Sequence, residues 1–183
     1  MAKYLSLCLL ALGLASGFAQ SEEEQAWMAS MTPGAEHQWL AEMAGEWKTE
    51  ANSWMDPASE PIHSEGTAKI EMAMGGRYQI SHHSSTMMGM PFSGMGILAY
   101  DNVLKKFTTT WIDNFGTGIL YGEGSKNADG VLVILGTMAN PVDGKPLPYR
   151  YETKVESPNK VTFAMYMGTG DHAFKTMEMT YSR

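Results

Sequence analysis

Cysteine is nearly absent from this chain: of 183 residues only Cys8 is one, and it lies inside the N-terminal apolar run. A disulfide framework, a thiolate metal site and a cysteine nucleophile are therefore excluded for everything beyond that run. Cys8 also comes too early, and lacks the preceding small residue, for lipid attachment. Basic charge is scarce as well. Thirteen Lys and Arg face twenty Asp and Glu, a formal net charge of −7, with no basic cluster. Nucleic acid and anionic membrane surfaces both need a positive face, so neither is an expected partner. After the first twenty residues no apolar stretch has the length of a helix that crosses a bilayer, and no membrane span is expected. The usual catalytic signatures are missing too: there is no Gly-x-Ser-x-Gly elbow, no His-Glu-x-x-His and no phosphate loop. Gly122-x-Gly124 precedes no helix, which removes the dinucleotide reading.

What is present begins with Lys3, the apolar run Leu5 to Leu14, and the small residues Gly17 and Ala19. Residues 1–19 read as a cleavable signal peptide, so the protein is expected to be secreted or periplasmic. Loss of Lys3 with that leader leaves twelve basic against twenty acidic residues, a net of −8 (12 − 20). The remaining chain is long enough for one domain that buries roughly 70% of its unfolded surface. Residues 20–30, acidic at Ser21 to Glu24, read as a flexible lead-in. Residues 31–183 read as a single domain. Thr32 is placed to cap a helix with Pro33 at its first position, and His37, Leu40, Ala41 and Ala44 share one stripe.

After Gly45 the period becomes two, with turn chemistry at Asp56-Pro57, Gly75-Gly76, Gly89 to Pro91, Asp101-Asn102, Asp129-Gly130, Asp143-Gly144 and Ser157 to Asn159. Such spacing predicts an antiparallel meander. Eight to ten strands in that arrangement would leave exposed edges unless the sheet closed on itself, so the expected fold is all-β: one antiparallel barrel with a short N-terminal helix. Phe107, Thr109, Trp111 and Asp113 fall on one strand face, as do Val161, Phe163, Met165 and Met167, and Met177, Met179, Tyr181 and Arg183.

Met31 to Trp47 (MTPGAEHQWLAEMAGEW), GGRY at Gly75 to Tyr78, TMMGMPFSGMGILAYDNVLKKFTTTWID at Thr86 to Asp113 and the terminal KTMEMTYSR resemble, in order, the domain-of-unknown-function 1579 family. That family has no assigned activity, so the resemblance implies a fold and no reaction. Gly45, Trp47 and Arg183 also resemble the calycin arrangement of lipocalins and fatty-acid-binding proteins, in which an arginine of the last strand covers a Gly-x-Trp tryptophan at the barrel base. The Thr-Asp-Tyr turn of lipocalins is missing.

Methionine is the outlier, sixteen residues in all. Its flexible thioether suits packing within a turn or the lining of an adaptable cavity. A soft Cu(I) site from Met87, Met88, Met90 and Met95 with His82 and His83 is opposed by strand geometry, since neighbouring histidines point to opposite faces. Haem ligation by His172 is opposed by its place in a turn, and the resemblance does not supply a histidine there. No cofactor or oligomeric state is specified. Arg77 and Asp113, if both face inward, could pair or hold a polar ligand group. The candidate site therefore comprises Arg77, His82, Met88, Trp111 and Asp113 in one cavity, with the Met turn at its mouth. Its leading reading is a non-catalytic barrel for a small apolar or amphipathic ligand. The alternatives are a small-molecule enzyme using Arg77, His82 and Asp113, and a structural envelope protein with a filled barrel.

Overall fold

Residues 21–183 are described by the structure, a computed structural model; the expected signal peptide lies outside them. The lead-in is a helix, α1 (Glu22–Met31). Ser21 and Glu24 form a reciprocal capping box, with Glu24 N donating to Ser21 Oγ at 3.2 Å and Ser21 N donating to Glu24 Oε2 at 3.1 Å. The acidic run that suggested a flexible segment thus supplies an N-cap and a first turn matched to the helix dipole. Thr32 closes α1 instead of opening the next helix, its hydroxyl donating to Met28 O. The second helix, α2 (Ala35–Glu42), starts two residues later than the Pro33 expectation and buries His37 and Leu40.

Ten strands follow: β1 (Gly45–Ser53), β2 (Ile62–Ala73), β3 (Tyr78–Met87), β4 (Met90–Asp101), β5 (Lys106–Asp113), β6 (Leu120–Lys126), β7 (Leu132–Ala139), β8 (Pro146–Ser157), β9 (Lys160–Met167) and β10 (Phe174–Ser182). Each pairs antiparallel with its chain neighbour, and β1 also pairs with β10, so the sheet is a closed barrel without a free edge. This is the predicted all-β architecture.

One end of the barrel is plugged. Leu40 and Met43 from α2 pack with Trp47, Ala68, Ile70, Phe107, Leu132, Ile134 and Val161 into the buried apolar cluster. Gln79 donates to Leu40 O at 2.8 Å, tying the helix to β3. Beneath it the Arg183 guanidinium lies 4.2 Å from the Trp47 ring and donates to the carbonyls of Ala44 (2.7 Å), Pro158 (2.8 Å) and Glu42 (3.3 Å). The Trp47–Arg183 contact expected from the sequence is present. Because the cluster fills only the α2 end, the opposite half of the barrel is left to the side chains of the strand ends.

Candidate functional site

That opposite half holds a cavity of about 420 Å³. Met87 and Phe92 from the β3–β4 hairpin, Phe115 and Leu120 from the β5–β6 connection, and Met138, Met167 and Met177 surround its upper part. Deeper lining comes from His83, Trp111, Tyr151, Phe163 and Tyr181, with the small hydroxyls of Ser64, Ser81 and Thr109 between them. Apolar walls with a few polar groups are what a small-molecule site requires.

The aromatic wall has a sequence cause. Gly94 and Gly96 face inward from β4, opposite Asp113 and Trp111 of β5. A Cβ on Gly94 would sit 2.3 Å from the Trp111 indole, and one on Gly96 would sit 3.1 Å from it. The glycines let the indole lie flat across the sheet. Its Nε1 donates to Asp113 Oδ2 at 2.8 Å, while Asp113 Oδ1 accepts from Phe115 N (2.9 Å) and Gly116 N (3.1 Å). Asp113 therefore fixes both the indole and the connection beyond it.

His83 stands next to this pair, its ring edge-on to Trp111 at 5.1 Å and to Tyr181 at 5.8 Å. The side chain is 9% exposed. Burial, reinforced by the charge of His82, lowers its pKa from 6.5 to about 4, so the imidazole is neutral at neutral pH. No hydrogen bond from another described residue reaches the ring. Tyr181 is in the same position: its hydroxyl has no protein partner, and burial pushes its pKa up, as it does for Tyr151.

The structure does not bring the five sequence-derived residues together. Trp111 and Asp113 line the cavity, whereas Arg77, His82 and Met88 do not. Arg77 sits on the β2–β3 turn at the plugged end, donating to Met31 O (2.7 Å) and Met74 O (3.0 Å), so it neither meets Asp113 nor reaches the interior. His82 faces outward opposite Met95, because Gln79, Ser81, His83 and Ser85 are the inward set of β3. Met88 occupies the hairpin tip with φ 53° beside Gly89 at φ 77°, a two-residue type I′ geometry that points it to solvent, and Met87 is the inward neighbour. The methionines and histidines weighed as a Cu(I) site are accordingly divided between faces. His172 is exposed in the turn Gly170–His172 before β10.

Sequence reasoning missed His83 and Tyr181 as a pair. The inward face of β3 is polar and the outward face carries Ile80, which reverses the usual cue for parity; the buried glycines of β4 were the available signal. A second concavity, about 480 Å³ on the outer surface of β1 and β8 to β10, is lined by charged side chains including Lys175 and Glu178, which pair with each other at 3.0 Å. Among the described residues no helix is long and apolar enough to cross a membrane.

A closed ten-stranded antiparallel barrel, plugged at one end by a helix and holding an aromatic and methionine-lined cavity, is the class of protein defined here. The chain belongs to the DUF1579 family, described as a protein of unknown function, which it matches over residues 32–183. No curated protein matches it by sequence. Among solved structures it is similar to a de novo designed fluorescence-activating β-barrel, at 12% identity and TM-score 0.44 over 79% of this chain and 95% of that chain. It is also similar to EF1p2_mFAP2b bound to DFHBI, at 9% identity and TM-score 0.46 over 81% and 99%. These likenesses extend to the barrel outline and no further.

Proposed function

We propose that this protein is an exported, non-catalytic barrel that binds one small apolar or amphipathic molecule. The observation that carries the reading is the cavity of about 420 Å³, walled by methionine and aromatic side chains beyond the buried cluster. A site of this size falls in the range that encloses most of a small organic molecule. Methionine-rich walls adapt to a ligand at little rotamer cost. Export rests on the sequence of residues 1–19. The enzyme alternative needed Arg77 and His82 beside Asp113, and neither lies there. The filled-barrel alternative has to account for the interior space.

Titration with Nile red, a neutral solvatochromic dye, tests the reading. Saturable one-to-one binding with a blue-shifted emission is expected, abolished by Ser81→Phe, which puts a ring into the cavity. Dye emission that does not saturate, or that is unchanged in a folded Ser81→Phe protein, would sink the proposal.

A further inference from the structure

Every formally basic side chain near the barrel interior is committed elsewhere. Arg77 and Arg183 spend their guanidinium groups on backbone carbonyls at the plugged end, and Lys126 pairs with Glu36 over the Trp39 and Phe107 rings. Among the described residues no lysine or arginine lines the cavity. The one carboxylate that does is Asp113, and its two oxygens already accept three N–H donors. An anionic ligand would thus leave water for a low-dielectric space with no counter-charge and with one like charge on the wall. That is a strong bias against acids.

The uncommitted polar groups are of another kind. The rings of His83, which is buried, and Tyr181, which is partly buried, meet edge-to-face at 5.8 Å, and neither has a protein hydrogen bond. A neutral imidazole offers one N–H and one acceptor nitrogen, and a phenol offers one of each. Depressed basicity keeps His83 in that neutral form, because burial lowers its pKa to about 4. The two groups lie toward the plugged end, where Tyr181 also packs on Trp47, so a ligand that reaches them has buried its polar end and left its apolar body among the methionines. Their polar atoms are not sealed off from the cavity, so a ligand hydroxyl or carbonyl can reach them and supply hydrogen bonds that the protein does not.

We infer that the cavity selects an electrically neutral ligand, an apolar body ending in a hydroxyl or carbonyl that meets His83 and Tyr181, and rejects carboxylates of the same shape such as free fatty acids. The inference rests on the ligand-binding reading above and narrows its ligand class.

Retinoic acid and its methyl ester form a suitable pair, nearly equal in shape and different in charge. Quenching of Trp111 emission at pH 7.5, isolated by subtracting the Trp111→Phe protein, reports binding of each. The ester is expected to bind at least tenfold more tightly. A smaller ratio, or tighter binding of the acid, overturns the inference and leaves the ligand-binding reading standing. If neither compound binds, the inference falls, and the Nile red titration decides separately whether the broader reading falls with it.

Discussion

Protonation of His83 should destabilise the barrel between pH 6.5 and pH 4, and the size of the effect follows from its surroundings. The ring is enclosed by Trp111 and Tyr181, with Asp113 two strands away on β5, beyond β4, and His82 beside it on β3. Its pKa falls from 6.5 in the unfolded chain to about 4 in the folded one, chiefly because burial penalises the charged ring. In that window the unfolded state binds more protons than the folded state, so stability is full above pH 6.5 and is lost as pH falls toward 4. At about 1.4 kcal/mol per pKa unit the full loss is about 3 kcal/mol, of which about 2 is gone by pH 5. The carboxylates held low by their partners, Asp101 and Asp143 among them, add their own losses in more acid solution, so the measurement belongs at pH 5 and above. Urea unfolding at pH 7.5, 6 and 5 is the assay. His83→Phe should flatten the dependence over that range, and the outward His82→Gln should leave it in place. An equal slope in wild type and His83→Phe would refute the assignment of His83 to the interior.

Other expectations concern the plug, the wall and the hairpin. Arg183→Ala removes three backbone hydrogen bonds and the stack on Trp47, and should cost about 1–2 kcal/mol in urea unfolding; a change under about 0.5 kcal/mol would mean the plug holds without it. Gly94→Ala forces a methyl group against the Trp111 ring, so a loss of about 1–3 kcal/mol and an altered near-ultraviolet circular dichroism spectrum are expected. An unchanged spectrum would contradict the flat indole. Met88→Asn suits a left-handed hairpin position better than methionine, and it should raise stability by about 0.5 kcal/mol or more while leaving Nile red affinity unaltered. Weakened dye binding would return Met88 to the cavity.

How much of this was legible in the sequence differs by level. Strand periodicity, turn residues and the Gly45, Trp47 and Arg183 set were enough for a closed barrel with a based tryptophan, because each is local chemistry repeated along the chain. The inward parity of β5, β9 and β10 was also legible, since those strands put apolar residues inside. On β3 the cue inverted. Polar Gln79, Ser81, His83 and Ser85 face inward there and Ile80 faces out, so His82 was chosen over its neighbour. Departures from patterning of this kind concentrate where a structure serves something other than its own packing. Arg77 was misplaced for a different reason: its partners, Met31 O and Met74 O, are backbone atoms that sequence spacing does not reveal. The helix of the lead-in was hidden in a capping box that reads in the sequence as mere acidity. Gly94 and Gly96 carry no periodic signal of their own, and only the structure shows that they sit in mid-strand to make room for Trp111.

Native mass spectrometry of the protein purified without denaturation from the cells that produce it tests the central claim most directly. A population heavier than the polypeptide by one small molecule is expected, released on unfolding, identified as neutral by its behaviour on extraction, and absent from the Ser81→Phe variant. Only bare polypeptide mass from the wild-type protein, together with Nile red emission that never saturates, would contradict it.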